Sequence, residues 1–377
     1  MKWKKEVPIS QVDALFANGR YPIEFLFYYR DPIPMGAVRK ALRSLARDFW
    51  PAFGEYEHGA ICFDRYREED CFDEESVDAG LQVPETMEGG PEVMARFGGK
   101  GRNRLFFLKA IRFKNGTALI PKLEHVAGDG TSYFTFLSVL AAISRPSRLP
   151  FRTSFIKSMF KPHHRRTALK AFSFQGQNME PDGPVGRLAM DVQEIPREEV
   201  RSLIAEAASS RHIRLSSNDI LSAMVVKKLV LLHRGRWDRM FSLTIPIDVR
   251  SKVHEYGRRF FGNGIMLHKL GLEKELVENA PLLDVAAKIR RAMPVVSRET
   301  YVRYLEGLER TIAEKAWDRF RPFDPKSGCL VTNLSKLPVE KLDFGTGYPE
   351  AIIPLTVEEN SAGILAGEGT YVLRSAF

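Results

Sequence analysis

LFFLKAIRFKNGTALIPKLEHVAGDGTSYFTFLSVLAAI, residues 105 to 143, contains two strand patterns, a histidine and an apolar helix in succession. Leu105 to Phe113 and Thr117 to Glu124 are predicted strands, joined through Asn115-Gly116, the residue pair that favours a type I′ hairpin turn. The run from Thr131 to Ile143 is apolar on most sides, as expected for a helix buried between layers. The segment therefore predicts a hairpin followed by a helix, with His125 at the end of the second strand.

The most informative candidate residue is His125, which forms the pattern HxxxDG with Asp129 and Gly130. A histidine at a strand end, followed by an Asp-Gly turn, can project its imidazole from fixed backbone into a cleft. Its near-neutral pKa suits a general base there. No such motif surrounds the other histidines, which we interpret as structural or surface groups, with one adjacent pair in a basic linker. These are His58, His163, His164, His212, His233, His254 and His268.

Length and composition favour two α/β domains. With 377 residues and 44% hydrophobic content, the chain can bury a substantial core, either in two domains of ordinary size or in one duplicated unit. Prolines and basic residues are concentrated between Ser144 and Gly186, which is typical of a linker. We therefore expect a first domain at residues 1–160, a crossover linker at 161–186 and a second domain at 187–377. Both halves mix strand and helix patterns, which predicts two α/β sandwiches.

Hydrophobic periodicity predicts most of the remaining elements. A helix is expected after Pro34, and the acidic stretch from Glu68 to Asp78 is interpreted as an exposed loop, because its periodicity is low. Gly363 is interpreted as a loop glycine. The second half is predicted to contain strands at 187–193, 241–247, 265–270, 329–333 and 370–373, and helices at 197–208, 216–232, 282–293 and 299–316.

Charge, cysteine content and missing motifs exclude several functions. The net charge of +9 is compatible with a nucleic acid, an anionic membrane surface or a phosphate-bearing small molecule, but no RNA-binding signature or recognition helix accompanies it. Three cysteines without CxxC spacing support neither a disulfide framework nor a zinc site, so we expect a reducing cytoplasm. We also expect the protein to be a monomer. No apolar run is long enough to span a bilayer. Phosphate-loop, HExxH, GxSxG and dinucleotide-binding motifs are absent from the sequence.

Six sequence blocks resemble the BAHD acyltransferases, and they occur in the order found in that family. They are HVAGDGTS (125–132), LSSNDILSA (215–223), IPIDVRSK (245–252), FGNGI (261–265), VTNLSKLP (331–338) and DFGTGYP (343–349). The chain is thus similar to a compact member of this family, within the wider group that shares the chloramphenicol acetyltransferase-like fold.

The resemblance implies two α/β domains with a channel between them, which an acyl-CoA enters from one side and a small-molecule acceptor from the other. His125 would act as general base without a covalent acyl-enzyme, and acyl-CoA would be a co-substrate, with no permanently bound cofactor and no metal. Asp129 would orient the loop, and Gly130 would allow close approach of the backbone. The tetrahedral intermediate needs a donor to its oxyanion, for which Thr332 is the candidate.

The second glycine-rich block resembles the family's DFGWG segment, which lies far from the catalytic histidine. Asp343 would pair with Arg250, and Gly345 and Gly347 would form the turn. Thr346 replaces the tryptophan of that segment, and Leu334 stands where another tryptophan often occurs. Two other functions remain compatible with these departures. One is a condensation-type enzyme that takes its acyl group from an acyl carrier protein, and the other is a catalytically silent binding protein of the same fold.

Overall fold

The computed structural model describes residues 5–19, 21–81, 104–145, 189–232, 237, 239–257, 260–356 and 358–376. The expected linker at 161–186, with His163 and His164, lies outside these residues. The helices are α1 (Gln11–Ala17), α2 (Met35–Asp48), α3 (Glu68–Cys71), α4 (Gly130–Ser144), α5 (Arg197–Arg211), α6 (Ser217–Leu232), α7 (Lys274–Asn279), α8 (Leu282–Ala292) and α9 (Arg298–Ala313). The strands are β1 (Lys5–Pro8), β2 (Pro22–Tyr29), β3 (Glu55–Glu57), β4 (Ala60–Phe63), β5 (Phe72–Ser76), β6 (Phe106–Phe113), β7 (Gly116–Glu124), β8 (Met190–Pro196), β9 (Met240–Asp248), β10 (Ile265–Glu273), β11 (Gly328–Asn333), β12 (Ala351–Pro354), β13 (Ser361–Ala366) and β14 (Thr370–Ala376).

The first large sheet contains five strands in the order β12-β2-β7-β6-β5. The predicted hairpin is confirmed, because β6 and β7 pair in antiparallel register from Phe106 opposite Leu123 to Phe113 opposite Gly116. Its two-residue turn is Lys114-Asn115, neither of which has positive φ, so the type I′ turn expected at Asn115-Gly116 is wrong. Phe25, Phe27 and Tyr29 alternate with residues of the opposite face and pack into one core with α2 and α4. A buried helix beside this sheet is what the apolar sequence of α4 predicts.

The second large sheet contains six strands in the order β10-β9-β11-β13-β14-β8. Most pairs are antiparallel, but β11 lies parallel to both β9 and β13. Helices α6 and α8 pack against each other and bury their apolar side chains in a second core with this sheet. A three-stranded sheet of β1, β4 and β3 completes the α/β architecture.

The short strand β12 crosses from one half of the molecule to the other. Although Ala351–Pro354 follows most of the second half in sequence, it pairs with β2 at the edge of the first sheet, with Pro354 opposite Phe25. The next strand, β13, returns to the centre of the second sheet. The first sheet is therefore built from residues on both sides of the expected boundary.

Two further predictions differ from the structure. The acidic stretch that begins at Glu68 is not a loop, because it forms α3 and then β5, which pairs in parallel with β6. Its carboxylates are compatible with a strand because β5 is an edge strand, where Glu74 pairs with Arg39 and Arg112. Gly363 lies inside β13 and not in a loop. Among the described residues, no helix is both long and apolar enough to cross a membrane.

Candidate active site

A cavity of about 300 Å³ lies between the two large sheets, and residues of both halves form its walls. His125 and Thr332, which the sequence predicts for catalysis, both line it although they are far apart in the chain. Asp129 and Gly130 border it at the start of α4. Asp343, Gly345 and Gly347 are not among its lining residues.

Backbone and ring contacts hold His125 at the end of β7. Its backbone N–H donates to the carbonyl of Tyr21 at 3.1 Å, which extends the pairing between β2 and β7. Its imidazole stacks on Phe16 of α1, with ring centroids 3.7 Å apart and planes 16° from parallel. The ring is thus fixed between the first sheet and α1 and is partly accessible at the cavity wall.

Asn263 determines which imidazole nitrogen carries the proton. Its Nδ2 donates to two acceptors, the carbonyl of His125 at 2.7 Å and Oδ1 of Asp13 at 2.8 Å, so its Oδ1 must be an acceptor. This Oδ1 lies 3.0 Å from Nδ1 of His125. Nδ1 therefore donates a hydrogen bond to Asn263, and Nε2 retains the lone pair that a general base needs.

The surroundings keep His125 in its neutral form. Burial lowers the pKa of His125 below its usual value, and this outweighs the carboxylate of Asp129, the hydrogen bond to Oδ1 of Asn263 and the carboxylate of Asp13, all of which favour the imidazolium. A neutral imidazole can accept a proton at and below neutral pH. The electrostatics therefore suit the base function that the motif predicts.

The carboxylate of Asp129 is held inside the protein and does not act as a second free base. Its Oδ1 accepts hydrogen bonds from the backbone of Ser132 at 3.0 Å, as N-cap of α4, and from Nη2 of Arg250 at 2.8 Å. Its Oδ2 accepts from the backbone N–H of Gly264 at 2.9 Å. Burial alone would raise the pKa of Asp129, but Arg250 and these hydrogen bonds lower it, so the group stays ionised.

Arg250 connects the HxxxDG loop to the FGNGI turn. Besides Asp129, its Nη2 donates to Oγ of Ser132 at 3.0 Å and to the carbonyl of Gly262 at 2.9 Å, and Ser132 also bonds to both backbone groups of Gly262. The side chains of Arg250 and Asp129 are 3% and 4% exposed. This buried cluster fixes the turn that carries Asn263 relative to the loop that carries His125.

The predicted pair between Asp343 and Arg250 is wrong. Arg250 bonds to Asp129, while Asp343 lies 3.5 Å from Arg145 in a partly exposed pair. Oδ1 of Asp343 accepts the backbone N–H groups of Gly345 at 2.7 Å and Gly347 at 3.1 Å. Both glycines have positive φ, 101° and 91°, so this aspartate closes a turn that favours glycine at two positions.

Three adjacent strands place a row of residues on the cavity face of the second sheet. Thr332 in β11 is opposite Gly363 in β13, which is opposite Arg374 in β14. Residues directly opposite each other in a sheet point to the same face, and all three line the cavity. A Cβ added at Gly363 would have no heavy atom within 4 Å, so this glycine leaves open space between the threonine and the arginine.

Several residues of the site are missed by sequence reasoning. Asn263 is interpreted from sequence as a turn residue, and no role is predicted for Asp13, Phe16, Glu24 or Arg374. Only Asp13 has a local signal, because it forms a capping box with Ser10 at the start of α1. The structure describes no group of three or more His, Cys, Asp or Glu side chains that could hold a metal ion. Cys62, Cys71 and Cys329 are buried free thiols.

Two α/β halves around a cavity that carries an oriented histidine define the class of two-domain acyltransferases with a chloramphenicol acetyltransferase-like fold. Residues 93–370 match the Transferase family. The chain therefore belongs to this family, the BAHD acyltransferases. Among solved structures, it is similar to TRI101 of F. sporotrichioides complexed with coenzyme A and T-2, with a TM-score of 0.73, 14% identity and coverage of 98% of this chain and 94% of that one.

Two further proteins are similar to this chain. Vinorine synthase has a TM-score of 0.71 and 18% identity, with coverage of 99% of this chain and 94% of that one. Shikimate O-hydroxycinnamoyltransferase of Nicotiana tabacum is 21% identical over 257 residues, which are 65% of this chain and 59% of the relative. The matched segment thus spans less than two thirds of that curated relative.

Proposed function

We propose that the protein transfers an acyl group from an acyl-CoA thioester to a hydroxyl or amine acceptor, with His125 as general base. One observation carries this proposal. Oδ1 of Asn263 accepts a hydrogen bond from Nδ1–H of His125, so the basic Nε2 remains unprotonated. The same cavity is lined by Thr332, which carries a hydroxyl. An oriented neutral imidazole is the group that an uncharged nucleophile requires for deprotonation.

The reaction follows from this arrangement. Nε2 of His125 takes the proton of the acceptor O–H or N–H as the acceptor atom forms a bond to the thioester carbonyl carbon. The carbonyl oxygen becomes an oxyanion, to which the Thr332 hydroxyl donates a hydrogen bond. Collapse of the tetrahedral intermediate breaks the carbon–sulfur bond, and the imidazolium returns the proton to the coenzyme A thiolate. No bond between the acyl group and the protein forms.

Coenzyme A is proposed as the carrier of the acyl group for two reasons. The solved relative from F. sporotrichioides is a complex with coenzyme A, and it covers 98% of this chain in the same fold. The chain also carries a net charge of +9, which favours association with a ligand that bears several phosphate charges. Acyl-CoA then enters and leaves as a substrate in each turnover.

The test is thiol release from acetyl-CoA, propionyl-CoA and longer acyl-CoAs with a panel of alcohols and amines. His125→Ala should lower kcat by about 10²- to 10⁴-fold, because it removes the general base. Thr332→Val, which removes only a hydroxyl, should lower kcat by about 10²- to 10³-fold. His268→Ala is the matched control, since His268 bonds to the carbonyl of Ala292 and does not line the cavity.

Three outcomes separate the candidate functions. Full activity in His125→Ala, with circular dichroism of a folded protein, would refute the mechanism. Transfer from a loaded acyl carrier protein, but not from free acyl-CoA, would indicate a condensation-type enzyme. Tight binding of acyl-CoA without turnover on any acceptor would indicate a binding protein.

A further inference from the structure

Four carboxyl groups line the cavity. Those of Asp129 and Asp248 are bonded to Arg250, whereas those of Glu24 in β2 and Glu358 after β12 are not and have no role in the proposed reaction. Backbone bonding places their segments side by side, because the N–H of Leu355 donates to the carbonyl of Glu24 at 2.9 Å. Glu358 follows Leu355 by three residues and begins the turn to Ser361, whose hydroxyl donates to its carbonyl at 2.6 Å. The two carboxyls therefore belong to one wall of the cavity.

Glu24 is a buried acid that the described protein leaves unsatisfied. It is 4% exposed and lines the cavity, and among the described residues its carboxyl has no hydrogen bond or ion pair, although the charge of Lys122 acts on it. Lys122 is opposite it in the β2–β7 register, but its Nζ pairs with Glu124 at 3.1 Å. Because burying a carboxylate without a partner is costly, this position calls for a ligand group that supplies one.

The cations near this wall are engaged elsewhere. Arg374 donates to the carbonyl of Pro354, and Arg250 is bonded to Asp129. Arg321, whose charge acts on Glu358, donates from Nε to the carbonyl of Asp318 at 2.7 Å. Burial is the main reason that the pKa of Glu24 and that of Glu358 are each raised to about 7, and the opposing charges of Lys122 on Glu24 and of Arg321 on Glu358 offset it only in part.

We propose that Glu24 and Glu358 form a cation subsite, so that the acceptor carries an ammonium group in addition to the atom that is acylated. The inference rests on the proposed acyl transfer and adds the chemical class of the acceptor, an amino alcohol or a diamine. The ammonium satisfies the buried carboxyl of Glu24, and the second nucleophilic group faces His125.

The spacing along β2 gives the size of such an acceptor. Tyr21, whose carbonyl holds the backbone of His125, lies three residues before Glu24. At roughly 3.3 Å per residue, this separation is about 10 Å along the strand. An extended acceptor whose charge and nucleophile are separated by a chain of about six to eight carbon atoms, at roughly 1.3 Å of length per bond, spans that separation. A protonated nitrogen is not a nucleophile, so the charged and reacting groups must be different atoms.

A matched set of acceptors tests the subsite. Aminohexanol, hexanediol and hydroxyhexanoate present the same terminal hydroxyl with a positive, neutral or negative second end. Thiol release from acetyl-CoA is measured at about pH 8, where an alkylamine with a pKa near that of lysine is still protonated. The kcat/KM for aminohexanol should then exceed the kcat/KM for hexanediol by about tenfold or more. Calorimetric binding of the same compounds to His125→Ala, measured without acetyl-CoA so that no turnover occurs, should show the same order.

Charge-neutral variants complete the test. Glu24→Gln and Glu358→Gln should each reduce the ratio of aminohexanol to hexanediol kcat/KM by about tenfold, because a charge-assisted contact is lost. The ratio is taken within one variant, so partial loss of folded protein cancels. Glu75→Gln is the control. Glu75 lies on the edge strand β5 and pairs with Lys109 of β6, so its substitution should leave the ratio unchanged.

The outcomes distinguish the subsite from the reaction. Acylation of all three compounds at equal rates, or preference for hydroxyhexanoate, overturns the subsite and leaves the acyltransferase intact. Selective, glutamate-dependent binding of aminohexanol without acyl transfer supports the subsite and overturns the reaction. Absence of both binding and reaction for aminohexanol overturns the subsite.

Discussion

Arg250→Met removes the central cation of the buried cluster that joins the HxxxDG loop to the FGNGI turn. The substitution leaves Asp129 with two backbone donors, Ser132 at 3.0 Å and Gly264 at 2.9 Å, but without an opposite charge. Both side chains of the pair are less than 5% exposed, so solvent does not replace the guanidinium. Removing one partner of a buried ion pair costs about 3–5 kcal/mol, and we expect a loss of that size in the free energy of unfolding.

Urea denaturation at pH 7, followed by circular dichroism, measures this loss. Arg145→Met is the matched control, because Arg145 and Asp343 lie 3.5 Å apart with side chains 45% and 27% exposed, and such pairs contribute under about 1 kcal/mol. The stability that depends on Asp129 should also fall as pH decreases through its lowered pKa, since protonation removes the charge that Arg250 binds. Equal losses in the two arginine variants would refute the reasoning.

The remaining predictions concern the cavity. Asn263→Ala removes a hydrogen bond that raises the pKa of His125, so the acidic limb of the pH profile of kcat/KM should move to lower pH. The value of kcat should fall about tenfold. An unchanged pH profile would contradict the assigned tautomer of His125. Gly363→Val should preserve stability within about 1 kcal/mol, because its side chain enters open space in the cavity. The same side chain should raise the KM for the acceptor at least about tenfold. An unaltered KM would rule out acceptor binding beside Gly363. The pKa of Glu24 rises from 4.5 to about 7 on folding, so the free energy of unfolding of the native protein should fall by up to about 3 kcal/mol as pH increases between these values. Glu24→Gln should remove this pH dependence. Thermal melting of both proteins at pH 4.5 and pH 8 measures the difference.

Local patterns predict the hairpin and helix around His125 because their determinants are local. Asn115 and Gly116 indicate a tight turn, which the structure places one residue earlier at Lys114-Asn115, and Asp129 accepts the N–H of Ser132 as a helix cap. In contrast, β2 is buried on both faces along Glu24–Tyr29, so its sequence shows little alternation and periodicity does not predict a strand there. The acidic strand β5 is not predicted for the opposite reason. An exposed edge strand tolerates many charged residues, so its sequence resembles that of a loop.

The contacts that orient the base cannot be predicted from spacing. Asn263 reaches His125 across 138 residues, and its own orientation depends on Asp13, which is 250 residues away from it in sequence. The error about Arg250 has the same origin. Asp129 and Asp343 both lie beside glycines in sequence, and only the folded geometry shows which carboxylate meets the guanidinium.

The exchange of β12 into the first sheet affects the order in which the molecule can assemble. During synthesis, β2 is complete once Tyr29 has emerged, but one of its pairing edges stays open until Ala351–Pro354 has followed. Pairings of such long sequence separation form slowly, and an open edge strand invites association with other chains. We therefore expect a nascent chain ending before residue 351 to be aggregation-prone, and a peptide containing β12 supplied in trans to suppress that aggregation.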